Sequence, residues 1–286
     1  MLNKDPGSNV GHRRTAAPAL KRARPFLKWV GGKGRVLPQL QPLLPTSFER
    51  YFEPFIGGGA MFFALRPPTT ELWDINSELI NCYRVIRDQV EELISALRLH
   101  RYEKDYYYAL RSLDPATLGP VARAARTICL NRTGFNGLYR VNRSGNFNVP
   151  FGRYTNPTIC DAPNLRLCQR ALSQVRLETE DFEALDERAK AGDFVYFDPP
   201  YVPRSPTSAF TSYSAVGFKL HDQQRLAALF TRLSERGVKL MLSNSDVPLV
   251  HELYQEFRID LIQASRNVNA RADRRGAVSE VVVRNY

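Results

Sequence analysis

The chain has 286 residues, 43% of them hydrophobic, which suffices for a substantial core in one large domain or one domain with an insertion and excludes a wholly disordered protein. Its 40 Lys and Arg against 29 Asp and Glu give a formal net charge of +11, which points to a polyanionic partner. No apolar run approaches the roughly 20 residues of a membrane span, so nucleic acid is favoured over lipid.

Residues 1–24 carry Arg13, Arg14, Lys21 and Arg24 and lack the apolar stretch of a secretory leader, so they read as a basic tail: a disordered extension or a phosphate-binding arm. Next comes Phe26-Leu27-Lys28-Trp29-Val30-Gly31-Gly32-Lys33-Gly34-Arg35, with an aromatic, glycines and a lysine just before a predicted helix. It lacks phosphate-loop spacing, and no Ser or Thr follows Lys33. Lys33 and glycine amides instead suit a small carboxylate, with Trp29 either flanking a cofactor or packing in the core.

Predicted strands at 50–52 and 71–73, each followed by a loop and a helical pattern, have the βαβ rhythm of a parallel sheet. Between them Phe52-Glu53-Pro54-Phe55-Ile56-Gly57-Gly58-Gly59 leads into a helix over 60–65, and glycines there let a ligand approach the backbone. At the end of the second strand, Trp73-Asp74-Ile75-Asn76 supplies an acid placed to take two ribose hydroxyls. Loop and acid together suit NAD, flavin or S-adenosylmethionine, and the absence of G-x-G-x-x-G weakens the dinucleotide reading.

The middle of the chain departs from this rhythm. Asn76 or Ser77 caps a helix carrying Leu79, Ile80, Tyr83 and Ile86, and residues 106–113 and 121–130 also read as helical. Residues 131–154, rich in Gly, Asn and Arg, read as a binding loop or hairpin. The β-type rhythm resumes with predicted strands at 177–178, 194–197, 238–242 and 278–283, a helix over 222–234 and a loop-rich stretch at 266–276. Cys82, Cys129, Cys160 and Cys168 lack C-x-x-C spacing, and His12, His100, His221 and His251 do not cluster with them. Neither a disulfide framework nor a metal site is expected, and a reducing cytoplasm is.

The most informative segment is Asp198-Pro199-Pro200-Tyr201, directly after the apolar run Phe194-Val195-Tyr196-Phe197. It reads as a buried strand stopping in a rigid extended turn, because proline fixes φ and has no N–H. The Asp carboxylate and a neighbouring carbonyl can accept both hydrogens of an exocyclic amine while Tyr201 stacks on a base. The plainer alternative is a strand-end turn with incidental prolines.

Taken in order, Lys28-Trp29-Val30-Gly31-Gly32-Lys33, Phe52-Glu53-Pro54-Phe55-Ile56-Gly57-Gly58-Gly59, Asp74-Ile75-Asn76, Asn131-Arg132-Thr133-Gly134-Phe135-Asn136-Gly137-Leu138, Phe147-Asn148-Val149-Pro150-Phe151-Gly152 and Asp198-Pro199-Pro200-Tyr201 resemble the Dam-type DNA adenine methyltransferases of the D12 class. The resemblance covers residues 26–286. It implies an α/β, Rossmann-like methyltransferase domain with a mainly parallel sheet, at 25–76 and 162–286, and an inserted, mostly helical target-recognition domain at 77–161. The implied enzyme uses S-adenosylmethionine and no metal to methylate adenine N6 in double-stranded DNA within GATC, as a cytoplasmic, nucleoid-associated monomer.

By the same resemblance Trp29, Lys33, Glu53, Phe55, Gly57, Gly59, Asp74, Ile75 and Asp198 hold the cofactor, and Asp198, Pro199 and Tyr201 hold the flipped adenine. Lys28, Phe135, Asn136, Leu138, Arg140 and Pro150 approach DNA, with Phe135 wedging into the base stack and Arg140 reading a guanine. Phe135 stands where family members often have Tyr. For Arg132, Arg143 and Arg153 simple phosphate contact is expected. Rival readings are an amino-methyltransferase acting on cytosine N4, RNA or protein glutamine, a catalytically silent DNA-binding protein, and a nicotinamide-dependent oxidoreductase. Asp rather than Ser or Asn at the first position of the tetrapeptide argues against the first of these.

Overall fold

The computed structural model describes residues 22–142, 144–204, 218–265 and 277–286. Arg143, the expected loop at 266–276 and nearly all of the basic tail lie outside the described residues. Seven strands form one sheet: β1 (Tyr51–Glu53), β2 (Thr70–Trp73), β3 (Arg176–Glu178), β4 (Phe194–Phe197), β5 (Lys239–Ser245), β6 (Arg258–Ser265) and β7 (Ala277–Arg284), in the order β3-β2-β1-β4-β5-β7-β6. The first five are mutually parallel, and β7 runs antiparallel to both β5 and β6. The order reverses between β1 and β4, the crevice where ligands bind beyond the carboxyl ends of strands in open α/β sheets.

Alternating residues on each strand feed opposite cores, as the two-residue period of a strand requires. Tyr51, Leu72, Leu177, Phe194, Tyr196, Met241 and Val282 face one layer, and Phe52, Trp73, Val195, Phe197, Leu240, Leu242, Val281 and Val283 face the other. The first layer holds helices α1 (Leu37–Leu40), α2 (Ala60–Leu65), α3 (Ser77–Asp88), α4 (Val90–Arg98) and α7 (Ala162–Leu172); the second holds α8 (Leu185–Arg188), α9 (Leu220–Glu235) and α10 (Pro248–Leu253). The four residues of β4 are all 0% exposed, which explains an unbroken apolar run ahead of Asp198. Among the described residues no helix is long and apolar enough to cross a membrane.

Helices α3 and α4, which lie within the expected insertion, pack on the sheet. Leu79, Ile80, Cys82, Tyr83, Val85 and Ile86 of α3 and Val90, Leu93, Ile94 and Leu97 of α4 share the core of the sheet, and Arg84 bonds the Leu177 carbonyl of the β3 edge. A separate small core of Tyr107, Leu110, Cys129, Leu130, Tyr139, Phe147 and Val149 gathers α5 (Lys104–Ser112), the second half of α6 (Pro120–Thr133) and the loop after it. Helix α6 spans both cores, because Ala124, Ala125 and Ile128 belong to the larger one. The expected loop likewise starts later: residues 131–133 are the last turn of α6. The expected tail ends earlier, since Ala23 is 8% exposed and the Arg24 backbone exchanges hydrogen bonds with the Asn164 side chain of α7.

Asn131, 0% exposed, ties these parts together. Its Oδ1 accepts from the Lys28 backbone N–H at 2.8 Å, and its Nδ2 donates to the carbonyls of Lys28 at 2.8 Å and Gly137 at 2.9 Å. Asn131→Ala leaves these backbone groups without partners, and a loss of roughly 2–4 kcal/mol is expected. Urea denaturation checks this as a lowered midpoint at unchanged slope.

Candidate active site

The expected cofactor and catalytic residues converge at the carboxyl ends of β1, β2 and β4. Beyond β1 the chain turns sharply through Gly57 at φ +46° and Gly59 at φ +69°, conformations that glycine adopts without strain. Space demands glycine as well: a Cβ on Gly57 would meet the Trp29 ring at 2.8 Å, and one on Gly59 would meet the Tyr83 hydroxyl at 2.6 Å. Trp29 is therefore packed against the loop, and it also stacks on Tyr139 at 5.3 Å between ring centroids. Phe55 stacks on Phe182 at 5.6 Å and meets Phe218 edge-on.

Asp74 follows β2 and is half-buried. Its Oδ1 accepts from Asn76 N at 3.0 Å and its Oδ2 from Gly57 N at 3.3 Å, which leaves each oxygen a lone pair. Burial pushes its carboxyl up to about 6, opposed by those two amides. Beside it Ile75 is 66% exposed, an apolar side chain open to a flat ligand. Asn76 caps α3 through Glu78 N and Leu79 N, both 3.1 Å from its Oδ1.

Asp198 follows β4. Lys33, itself 5% exposed, places its Nζ 2.7 Å from Asp198 Oδ1, 2.7 Å from the Gly31 carbonyl and 4.8 Å from the centroid of the Tyr201 ring. Lys33 thus stands on the carboxylate at the end of β4, where sequence reasoning expected it to meet a carboxylate on the cofactor. Burial raises the Asp198 pKa, the Lys33 ammonium counters that, and Glu280 adds to the rise. Glu53, 2% exposed, accepts a hydrogen bond from the Tyr51 hydroxyl at 2.8 Å, and burial pushes its carboxyl up to about 8.

The turn that holds Tyr201 is gripped from two sides by groups the sequence reading did not single out. Gln223 Nε2 donates to the Pro200 carbonyl at 2.9 Å, Asn244 Oδ1 accepts from Val202 N at 3.0 Å, and the two amides bond each other at 3.2 Å. Gln223 and Asn244 are buried, at 3% and 0% exposure. Asn244 had a signal in the sequence: Ser243-Asn244-Ser245 is a polar triplet at the end of an apolar strand.

The expected DNA-contacting residues lie on a neighbouring surface. The loop after α6 folds as an irregular hairpin, with antiparallel bridges Gly134↔Phe151 and Val141↔Phe147. Phe135 is 48% exposed, Asn136 takes φ +54°, and the Phe135 N–H donates to the Pro150 carbonyl at 2.8 Å. Leu138 is half-buried, whereas Arg140 and Pro150 are exposed. The Arg140 guanidinium donates through Nε to Asn148 Oδ1 at 2.7 Å and through Nη2 to the Asn148 carbonyl at 3.2 Å, so Asn148 takes one edge of the fork and leaves the Nη1 side. Lys28 Nζ lies 4.0 Å from the centroid of the Tyr154 ring. Arg132 is half-buried in the last turn of α6, and Arg153 is exposed beside Phe135, Asn136 and Tyr154. Trp29 and Tyr139 link hairpin and crevice, since Tyr139 packs in the small core and its hydroxyl reaches Asn76 Oδ1 at 3.5 Å.

The crevice thus combines a twice-bonded carboxylate, a glycine turn that admits close approach and an exposed Ile75, features that fit a nucleoside-bearing cofactor, beside a second carboxylate able to accept an amine. The sequence pattern of the D12 class N6 adenine-specific DNA methyltransferases matches residues 29–268. The Type II methyltransferase M1.LlaDCHI of Lactococcus lactis subsp. cremoris is 48% identical over 271 residues, covering 92% of this chain and 95% of the relative. Type II methyltransferase M.MjaIII of Methanocaldococcus jannaschii is 42% identical over 286 residues, covering 92% and 99%. DNA adenine methylase of Escherichia coli K12 is 35% identical over 267 residues, covering 92% and 95%. The chain belongs to the D12 class of N6 adenine-specific DNA methyltransferases, a membership that implies S-adenosylmethionine as methyl donor and DNA as substrate.

The carboxyl of Glu53 yields a pH prediction. Its folded pKa of about 8 lies above the ordinary 4.5, so across that interval the folded chain keeps a proton that the unfolded chain has shed. This contribution to stability is complete below pH 4.5 and is lost as pH rises through about 8. Denaturation at a series of pH values is expected to show a shallower fall of stability for Glu53→Gln than for the wild type.

Proposed function

We propose that this enzyme methylates N6 of an adenine rotated out of duplex DNA, within the sequence GATC, acting as a monomer. The observation that carries this reading is the placement of Asp198, Tyr201 and Lys33 at the end of β4, beside the carboxylate of Asp74 and next to a hairpin bearing exposed Phe135 and Arg140. When bound, S-adenosylmethionine supplies a methyl group already activated by its sulfonium. Asp74 accepts the ribose hydroxyls through its remaining lone pairs, Ile75 and Phe55 bound the adenine ring of the cofactor, and Trp29 with the glycine turn shapes the wall near its methionine end.

Adenine N6 is a poor nucleophile because its lone pair is delocalised into the ring. Asp198 and the Pro199 carbonyl accept hydrogen bonds from its two hydrogens, which draws the nitrogen toward tetrahedral geometry and directs the lone pair at the methyl; one N6 proton departs once the new nitrogen–carbon bond has formed. Lys33 occupies Asp198 Oδ1, so Oδ2 is the oxygen presented to the amine, and the ammonium favours the ionised carboxylate that this role requires. Tyr201 offers the stacking face.

A base inside a duplex cannot reach this cup, and extrusion costs a few kcal/mol. Phe135 inserted into the vacated stack and basic side chains on the phosphates offset that cost. Arg140, held by Asn148 along one edge, keeps the Nη1 side for guanine O6 and N7. The recognition module starts after α4, where the small core begins, and ends with the hairpin.

Asp198→Asn replaces one carboxylate acceptor with a donor, and methylation of unmethylated duplex is expected below a tenth of wild-type turnover, a barrier rise above about 1.4 kcal/mol. Filter binding should show duplex affinity largely retained, and turnover near wild type would reject the amine-accepting role.

Arg140→Ala is expected to lower turnover on GATC by roughly ten- to a hundred-fold, the value of a bidentate base contact. Sites already altered at the base it reads should lose far less. A uniform loss across GATC and its single-base variants would instead mark a phosphate contact.

A further inference from the structure

Tyr201 is held at its far end by a side chain from the last strand of the chain. Its hydroxyl donates to Glu280 Oε2 at 3.2 Å. Glu280 lies on β7, opposite Ser245 at the carboxyl end of β5 and opposite Ile262 of β6, so the sheet fixes its backbone on both sides. It is the one acid in Val278-Ser279-Glu280-Val281-Val282-Val283, a run whose three following valines are each 0% exposed. This acid is half-buried, and the hydroxyl of Tyr201 is its hydrogen-bond partner.

The clamp of Gln223 and Asn244 fixes the backbone on both sides of Tyr201 but leaves the ring two side-chain torsions. Lys33 Nζ, itself committed to Asp198, stands over the ring, and Glu280 stands at its far end. Because the hydroxyl oxygen lies on the axis of the second torsion, the hydrogen bond to Glu280 anchors the far end of the ring and thereby its first torsion, which sets the position of the phenol relative to the carboxylate of Asp198.

We propose that Glu280 is a positioning residue for methyl transfer: by accepting the hydrogen bond of the Tyr201 hydroxyl it anchors the far end of the ring on which the extruded adenine stacks, and so fixes the alignment of N6 with Asp198. This rests on the adenine-stacking reading of Tyr201 given above. A ring free to swing about its first torsion still binds DNA and cofactor, but it lets the amine drift from attack geometry, so the loss falls on the chemical step. The same carboxylate raises the proton affinity of Asp198, which couples the two acids across the ring.

The test compares Glu280→Ala, Glu280→Gln, Tyr201→Phe and the double variant Tyr201→Phe/Glu280→Ala. It uses single-turnover methylation of a GATC duplex, dissociation constants for S-adenosylmethionine and duplex, and the fluorescence of 2-aminopurine placed at the target base. Glu280→Ala should slow single turnover about ten-fold with both dissociation constants within about two-fold of wild type, and the bound 2-aminopurine should be brighter because it stacks less. Glu280→Gln keeps an oxygen acceptor and should recover most of the rate. Tyr201→Phe removes the same bond from the other side, so it should be slow by itself and no slower when Glu280→Ala is added. It also provides the reading should Glu280→Ala fail to fold. A Glu280→Ala rate near wild type, a Glu280→Gln rate as low as that of Glu280→Ala, or additive losses in the double variant would each overturn the proposal. Wild-type enzyme that neither methylates the duplex nor brightens 2-aminopurine would overturn the functional reading itself.

Discussion

An ionised carboxylate at the end of a strand buried on both faces needs a counter-charge, and the Lys33–Asp198 pair meets that need. All four residues of β4 are fully buried, so Asp198 emerges from an apolar layer where its charge is costly. The cation comes from a part of the chain about 165 residues earlier. Because that pair must form, the segment before β1 is drawn over the crevice, and with it come Trp29 and the close packing that forces Gly57 to be glycine. Breaking one member of a buried pair leaves the other charge uncompensated, so the site and the packing of the N-terminal segment stand or fall together.

Around this pair the polar groups are arranged in order of burial. Gln223 and Asn244, with almost no exposure, bond each other and the backbone on both sides of Tyr201. A buried amide network is favourable only when its members are satisfied, and a satisfied one admits a single arrangement of the turn. The prolines contribute fixed φ and the amides contribute fixed position. Rigidity of the cup therefore arises from both the local sequence and two distant elements, α9 and β5.

Much of this was legible in the sequence because it depends on local chemistry. The apolar run of β4 followed by Asp-Pro-Pro-Tyr, the glycine turn after β1 and the acid after β2 each announce themselves, as does Asn76 as the cap of α3. Strand β6 was not foreseen: it is an edge strand whose residues Arg258, Asp260, Leu261 and Gln263 face solvent or charged partners, so its pattern resembles a loop. Helices α4 and α7 escaped notice because their neighbours dominated the pattern. The core that α3 and α4 would join was not legible for a different reason, since both bury their apolar faces in the core of the sheet and periodicity cannot say which core a face will meet. Long-range partners, such as Lys33 with Asp198 and Glu280 with Tyr201, are set by topology alone and leave no mark on local sequence.

The tie made by Asn131 has a consequence for fidelity. Six residues, Lys28 to Lys33, run from the hairpin to the crevice: Asn131 grips both backbone groups of the first, and Asp198 grips the side chain of the last. Asn131 also holds the Gly137 carbonyl, directly after the turn bearing Phe135 and Asn136. With the turn on the duplex as proposed, a displacement of it would travel through this short connection to the ammonium beside Asp198. On that reading discrimination between sites is expressed in velocity as well as in occupancy.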